Sequence, residues 1–379
     1  MMEIYNKFRD FVDFILSFLP KQRKVVFVNF YGRGFGDNPK YIAEEILKEK
    51  LGYDLVWLVA DMNELFPTGI RKVKFFSLKC KYELSTAKII VSNTKRRLPY
   101  RKSESQYYIQ TWHGGFPLKY IEKEAERDLP DSYLNETKKD SQLIDLLISG
   151  SEFQTKIFKE SFWYQGEIFT KGIPRNDILI NHSQLFVKQA KREYGILDDN
   201  CKIVIYAPTF RDDFNISAYC LNVHMLLDAL NRKTGFKWKI IIRLHPNVAY
   251  QNSLFEYNEN VIDGSGFSDP QELLVISDLL ITDYSSVMMD FGIMKRPVIL
   301  FAADLKEYVV NCRNLRSIFY NLPFPLSMSN EGLVNIIQTF DINEYTNILN
   351  AFLDRYYKSY DDGKASKSVV ERIKQVMEA

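Results

Sequence analysis

Short runs of apolar residues alternate with amphipathic helical patterns along most of the chain, and this alternation constrains the fold more than any other feature. Runs such as Ile203–Tyr206 and Ile240–Leu244 are apolar without interruption, as in strands of a parallel sheet that is covered on both faces. Alternating strands and helices predict a doubly wound α/β fold. The predicted strands are Val25–Phe30, Leu55–Ala60, Lys88–Val91, Tyr107–Thr111, Leu143–Ser149, Lys202–Tyr206, Lys239–Leu244, Leu279–Thr282 and Val298–Phe301. The predicted helices include Lys40–Lys50, Glu152–Phe162, Gln184–Tyr194, Val223–Arg232, Gln271–Ser277 and Ser285–Met294.

The pattern runs twice, with a polar helical bridge around Asn181–Asn200. A length of 379 residues also exceeds the size that a single hydrophobic core usually supports. We therefore predict two Rossmann-like domains facing a cleft, at residues 25–180 and 181–345. C-terminal helices are predicted at residues 346–379, and Leu326–Asn330 is interpreted as a linker.

Two features favour contact with an anionic membrane leaflet. An amphipathic helix is predicted within residues 1–24, before Pro20 ends it. The segment Arg71–Lys102 holds eleven basic residues against one acid, Glu83, and each well-placed cation contributes about 1 kcal/mol at such a surface. Alternatively, the helix could pack on the protein's own core, and the basic segment could be a solvated face. The apolar residues of the helix are Ile4, Phe8, Phe11, Val12, Ile15, Leu16 and Leu19.

The composition narrows the location and the partners. The chain contains no run of roughly 18 apolar residues, the length needed to cross a bilayer. It also lacks the pattern of a signal peptide. Four scattered cysteines indicate structural thiols in a reducing compartment. We therefore expect a cytoplasmic protein, peripheral on the inner face of the cell membrane. The net charge of +2 gives no indication of nucleic-acid binding.

Polar side chains follow several predicted strands, where ligands bind in open α/β sheets. His113 leaves its strand into a two-glycine loop, and an imidazole suits general-base chemistry near neutral pH. Lys119, a few residues on, could neutralise a phosphate. Arg243 and His245 lie on the same side of another strand end, as binding of a pyrophosphate would require.

Further strand ends carry hydroxyl groups and arginines. Ser285 and Ser286 precede a predicted helix, whose free N–H groups bind anions, and Asp290 could face a ribose or a base. Two proline-fixed turns add cations; the first holds Arg175, and the second holds Pro208, Thr209 and Arg211. Taken singly, these residues could instead cap a helix, form a salt bridge or lie in solvent. Together they predict an anionic ligand.

Other chemistries lack support. The chain has no P-loop, no dinucleotide-binding glycine motif after a strand and no GxSxG elbow. Its four histidines lack zinc spacing. We therefore expect no cofactor and no metal.

Five ordered motifs together resemble the CDP-glycerol glycerophosphotransferase family, the teichoic-acid primases and polymerases. They are Thr111–Gly114, Gly172–Asp177, Tyr206–Arg211, Arg243–Pro246 and Asp283–Ser286. The likeness covers about residues 25–325. One departure is that the usual His-Gly-Thr-Pro-Leu-Lys reads here with Gly114-Gly115-Phe116 before Pro117.

The resemblance implies a glycosyltransferase-B-like fold, with an acceptor domain followed by a CDP-glycerol-binding domain. It implies transfer of glycerol phosphate from CDP-glycerol to a hydroxyl of a lipid-linked teichoic acid or capsular polysaccharide acceptor, with release of CMP. His113 and His245 become the catalytic histidines, with His113 as the general base. The implied CDP-glycerol site comprises Lys119, Arg175, Pro208, Thr209, Arg211, Arg243, Ser285, Ser286 and Asp290.

Three alternatives stay open at this point. The donor could be CDP-ribitol, or the enzyme could be a UDP-sugar glycosyltransferase of the same fold. The chain could also be a catalytically inactive nucleotide-binding scaffold in a wall-synthesis complex. A homo-oligomer is compatible with the sequence.

Overall fold

The computed structural model describes residues 11–95, 98–198, 200–211, 218–245, 248, 254–267, 269–311 and 315–379. These residues form two compact units, each built on one parallel sheet. The predicted fold class of two parallel-sheet α/β domains is confirmed.

The sheet of the first unit has seven described strands, β1 (Gln22–Val28), β2 (Asp54–Val59), β3 (Ile70–Lys74), β4 (Ala87–Ser92), β5 (Tyr107–Gln110), β6 (Leu146–Ile148) and β7 (Glu167–Phe169). They lie in the order β3-β2-β1-β4-β5-β6-β7, and all neighbours are parallel. Val25 and Phe27 of β1 enter the core on one face, while Val26 and Val28 enter the core on the other. Burial on both faces explains the uninterrupted apolar runs.

The sheet of the second unit has six described strands, β8 (Lys202–Tyr206), β9 (Trp238–Ile242), β10 (Val261–Asp263), β11 (Leu279–Thr282), β12 (Val298–Phe301) and β13 (Leu326–Ser327). The order is β10-β9-β8-β11-β12-β13, again with parallel neighbours. The first strand of each sheet therefore lies between the second and the fourth. Ligands bind at this reversal of strand order in open α/β sheets.

Helices connect the strands. In the first unit they are Asp37–Lys48, Leu78–Thr86, Asp131–Leu143, Glu152–Ser161 and Ala365–Glu378, and Asp177–Asn181 leads into the second unit. The second unit has Gln184–Glu193, Val223–Thr234, Pro270–Ile276, Val287–Ile293, Leu305–Asn311, Asn330–Thr339 and Ile342–Phe352. Glu152–Ser161 and Gln184–Glu193 begin where the sequence predicts, because the side chains of Ser151 and Ser183 accept backbone N–H bonds at their starts.

Two segments belong to a different unit from their neighbours in sequence. Gly115–Tyr120 groups with the second unit, where the buried Phe116 ring lies 5.7 Å from the Tyr357 ring. Tyr360–Ala379 groups with the first unit, where Val370 and Ile373 are fully buried in the core. Neither segment carries a local pattern that indicates this exchange, because its packing partners are distant in sequence.

Four strands have no counterpart in the sequence prediction. β3 lies at a sheet edge and carries Arg71, Lys72 and Lys74, so its strand pattern was hidden within the basic segment. β7 and β10 are three residues each, too short for periodicity to show. β13 lies where the sequence indicated a linker. The helices that were likewise not predicted include Leu78–Thr86, Asp131–Leu143, Asp177–Asn181 and Leu305–Asn311.

The amphipathic segment near the start of the chain is described only in part. Residues 11–17 are helical, and residues 1–10 lie outside the described residues. Asp13 forms a salt bridge with Lys81, and Lys21 Nζ donates to the carbonyl of Ser85 at 2.7 Å. Among the helices of the described residues, none is both long and apolar enough to span a membrane.

The core position of the C-terminal helix gives a stability prediction. Ile373→Ala should lower the free energy of unfolding by roughly 2–5 kcal/mol, because it opens a cavity in the core of the first unit. Gln375→Ala, an exposed position on the same helix, should change it by less than about 0.5 kcal/mol. Urea unfolding followed by circular dichroism measures both. Equal stabilities would show that this helix is not part of the core.

Candidate functional site

His113 follows the carboxyl end of β5 in the first unit, and its ring is held by a backbone carbonyl. The Nδ1 atom lies 2.9 Å from the carbonyl oxygen of Asn93, the residue after β4. Because a carbonyl can only accept, Nδ1 must carry the proton in the neutral ring. The lone pair of the neutral imidazole is then on Nε2. This tautomer is the one that a general base acting through Nε2 requires.

The surroundings of His113 favour its neutral form. Desolvation by the surrounding protein lowers the pKa of His113 below its ordinary value of 6.5, although the side chain keeps an exposed surface. The bond to Asn93 and the charge of Asp37 act in the opposite direction, and Arg175 adds to the lowering. The Trp112 ring lies 4.4 Å from the imidazole between ring centroids. The net result is an imidazole that is unprotonated near neutral pH.

Arg175 lies next to this loop and is 6% exposed. Its Nη1 donates to Asp37 Oδ1 at 2.8 Å and to the carbonyl of His113 at 2.6 Å. The guanidinium is thus paired with a carboxylate inside the first unit. This geometry favours a positioning role for Arg175 over the phosphate contact that the resemblance implies.

Three adjacent strands of the second unit, β9, β8 and β11, bring their exits to one edge of the sheet. The backbone N–H of Arg243 donates to the carbonyl of Tyr206 at 2.9 Å, which joins the exits of β9 and β8. Thr282 Oγ1 donates to the carbonyl of Ala207 at 2.7 Å, which joins the exits of β8 and β11. Six predicted residues closely follow the ends of these strands: Pro208, Thr209, Arg243, His245, Ser285 and Ser286.

Arg243 is the cation of this edge that lacks a carboxylate partner within the described part of the chain. Its Nη1 donates to the carbonyls of Gly264 and Phe267, at 2.9 and 2.7 Å. Desolvation lowers the pKa of Arg243, and Asp269 opposes this lowering. A half-buried guanidinium of this kind gains most from an anionic ligand. His245 is exposed two residues later, and its ring stacks on Phe210 with 5.3 Å between centroids.

Arg211, in contrast, is 3% exposed and ion-paired twice. Its Nη2 lies 2.8 Å from Asp283 Oδ2, and its Nε lies 2.6 Å from Asp304 Oδ2. Nη1 donates to the carbonyl of Thr209. With its donors engaged in this way, Arg211 supports the neighbouring loops. The resemblance implies a direct contact between Arg211 and CDP-glycerol, and such a contact would require these hydrogen bonds to break.

Asp283 joins the loops after β8 and β11. Its Oδ1 accepts the backbone N–H groups of Thr209 at 2.8 Å and of Tyr284 at 2.6 Å. Pro208 is buried beside this loop, and the buried hydroxyl of Thr209 has no hydrogen-bond partner among the described residues. Asp283 thus binds two loops together in place of capping the following helix.

The remaining predicted residues lie on the same unit. Lys119, on the segment that joins the second unit, has its Nζ 5.1 Å from the centre of the Tyr308 ring, and Arg211 lies 4.9 Å from that ring. Ser285 and Ser286 precede the helix Val287–Ile293, and Ser285 Oγ accepts the N–H of Val287 at 3.4 Å.

Asp290 lies within this helix and is only 3% exposed. Its burial therefore does not favour the predicted contact with a ribose or a base.

Three polar residues whose side chains hold these loops by hydrogen bonds were not predicted from the sequence: Asp37, Asn93 and Asp304. Asn93 and Asp304 follow β4 and β12, so their position after a strand was a usable signal. Asp37 follows a glycine-rich loop and begins a helix, where an acidic residue is ordinary. Among the described residues, no group of three or more His, Cys, Asp or Glu side chains could hold a metal ion.

Comparison with known proteins identifies the family and similar folds. The family described as CDP-Glycerol:Poly(glycerophosphate) glycerophosphotransferase matches residues 11–375. A teichoic acid poly(glycerol phosphate) polymerase of Bacillus spizizenii is 33% identical over 95% of this chain and 94% of its own length. A polymerase of the same name from Staphylococcus epidermidis is 34% identical over 93% of this chain, which spans 50% of that protein. A solved structure of a variant of the wall teichoic acid polymerase TagF superposes with a TM-score of 0.87 at 32% identity, covering 98% of this chain and 93% of that one.

The different environments of two arginines give a second stability prediction. Arg211→Gln should lower the free energy of unfolding by roughly 3–5 kcal/mol, because it leaves the buried carboxylate of Asp283 and the partly buried carboxylate of Asp304 without their cation. Arg243→Gln loses hydrogen bonds to two carbonyls and should cost only about 1 kcal/mol. Urea unfolding of the two variants makes the comparison. A larger cost for Arg243→Gln would contradict the roles assigned to these arginines.

Proposed function

The chain belongs to the CDP-glycerol:poly(glycerophosphate) glycerophosphotransferase family, and from this premise we propose that it transfers glycerol phosphate from CDP-glycerol to a hydroxyl of a teichoic acid acceptor, releasing CMP. The match of the family over residues 11–375 carries the proposal. The strand-end residues support it, because they offer a base and phosphate-binding groups without a cofactor motif.

In the proposed reaction, the acceptor oxygen forms a bond to the β-phosphorus of CDP-glycerol. The bond between that phosphorus and the oxygen that bridges to the α-phosphorus breaks, and CMP leaves with the electron pair. The proton of the acceptor hydroxyl moves to Nε2 of His113. General-base assistance of this kind is worth roughly 10²–10⁴-fold in rate.

The second unit supplies groups that bind negative charge. Arg243 offers a guanidinium without a carboxylate partner among the described residues. His245 is exposed at the same strand end, and the Ser285 and Ser286 hydroxyls lie on the exit of β11. In phosphoryl transfer such groups stabilise the transferring phosphoryl group and the leaving phosphate.

Replacement of His113 tests the base. His113→Gln should lower CMP release by at least about 100-fold, while calorimetry should find CDP-glycerol binding within a few fold of the wild type. His224→Ala is the matched control, because the His224 side chain is 88% exposed and His224 is not among the predicted site residues. Since the pKa of His113 lies below 6.5, wild-type kcat/KM should stay level through pH 7 and fall only at lower pH. Substantial turnover by His113→Gln would remove this residue from the base role.

We further propose that the acceptor is lipid-linked and that the first unit meets the inner membrane leaflet through an exposed apolar surface. The described part of the N-terminal segment exposes 59% of Phe11 and 72% of Phe18. Phe76 and Leu78 are 76% and 78% exposed beside the exposed Lys79. Large apolar side chains flanked by basic residues are the composition that binds anionic interfaces.

A vesicle assay tests this surface. The double variant Phe18→Ser with Leu78→Ser should bind anionic phospholipid vesicles about tenfold or more weakly in co-sedimentation, because it removes two large apolar side chains from the interface. Leu197→Ser, which alters a 79% exposed leucine of the second unit, should bind like the wild type. Equal binding by the double variant and this control would contradict the assignment of the surface.

A further inference from the structure

The position of His113 depends on a buried polar network in the first unit. Asn93 holds the imidazole through its backbone carbonyl, and its own side chain is fully buried. Asn93 Nδ2 donates to Asp37 Oδ2 at 2.6 Å and to Asn29 Oδ1 at 2.7 Å, while Oδ1 accepts the N–H of Phe30 at 2.9 Å. Asp37 therefore holds the side chain of Asn93, the residue whose backbone carbonyl orients the ring.

A second chain of contacts runs from the same carboxylate to the backbone of His113. Asp37 Oδ1 accepts from Arg175 Nη1 at 2.8 Å, and that nitrogen also donates to the carbonyl of His113 at 2.6 Å. Asp37 is 4% exposed, so both of its oxygens act inside the protein. The Asp37 carboxylate is thus linked to His113 in two ways, through Asn93, which bonds the imidazole ring, and through Arg175, which bonds the backbone carbonyl of His113.

The backbone around this network is held in an unfavourable conformation. Asp37 has φ +53° and Trp112, directly before His113, has φ +54°, a region that residues other than glycine rarely adopt. Asn38 Nδ2 donates to the carbonyl of Trp112 at 3.0 Å and so ties the two strained positions together. Strained backbone of this kind persists where the surrounding contacts overdetermine it, which is typical of functional sites.

We propose that Asp37 is a positioning residue for His113: it fixes the ring through Asn93 and the loop through Arg175, and it sets the electrostatic balance at the imidazole. The inference rests on the proposed function, in which His113 is the base. Asp37 touches neither the imidazole nor any reacting atom directly, so its effect passes through its two partners.

Three charged groups face His113 in the first unit. Asp37 and Glu122 raise the pKa of His113, whereas Arg175 lowers it and so adds to the larger lowering by desolvation. Asp37→Asn keeps the shape of the side chain and its tolerance of positive φ but removes the charge. The pKa of His113 should then fall, because one raising group is lost and Arg175 is left uncompensated.

The test combines kinetics with a direct titration. The four histidines of the full-length protein are titrated by NMR, with the His113 signal identified by its loss in His113→Gln. Asp37→Asn should shift the titration of His113 to lower pH, move the acid limb of the kcat profile in the same direction, and lower kcat about 10- to 100-fold, by analogy with metal-bound histidines that lose the group orienting them. The KM for CDP-glycerol should change by less than about twofold. Asp131→Asn, which removes an exposed acid from the same unit, should match the wild type.

A second variant keeps the test decisive if Asp37→Asn does not fold. Asp37→Asn with Arg175→Gln removes both charges of the buried pair, and its kcat should remain at least about tenfold below the wild type. Wild-type kcat in the double variant, or an unshifted His113 titration in folded Asp37→Asn, would overturn the inference. Wild-type protein that releases no CMP from CDP-glycerol would instead contradict the proposed function, and the NMR titration would still decide whether Asp37 controls His113.

Discussion

The parallel direction of the strands is the constraint on which the rest of the structure depends. In each sheet all carboxyl ends meet at one edge, and the first strand of each sheet is flanked by the second and the fourth. The reversal of strand order places Asn29 and Asn93 side by side after β1 and β4 in the first unit. In the second unit it places Thr209 beside Asp283 after β8 and β11. The proposed chemistry is assembled from loops that this topology brings together.

Electrostatic partners then separate residues that look alike in the sequence. Arg175, Arg211 and Arg243 each follow an apolar segment, and each could bind a phosphate. The first is paired with Asp37, and the second with Asp283 and Asp304. Arg243 has only carbonyl partners among the described residues. Two of these arginines thus stabilise loops, and the third is the one whose charge the proposed function assigns to an anionic ligand.

The sequence was most informative where the pattern was long or chemically distinctive. β8, β11 and β12 have the predicted bounds, because each is a short and nearly continuous apolar run. His113, Arg243 and His245 were predicted as site residues because a reactive side chain follows such a run. Short edge strands such as β7, the crossing of Gly115–Tyr120 into the second unit and the role of Asp37 were not predictable. They depend on contacts between residues far apart in sequence, such as Asp37 with Arg175.

The central claim is that this chain moves glycerol phosphate from CDP-glycerol, and donor choice tests it most directly. The purified protein is incubated with a teichoic acid acceptor and, in turn, with CDP-glycerol, CDP-ribitol or a UDP-sugar, and nucleotide release is measured. We expect rapid CMP release with CDP-glycerol, accompanied by the appearance of glycerol phosphate on the acceptor. Release of UDP from a UDP-sugar, with CDP-glycerol left intact, would contradict it.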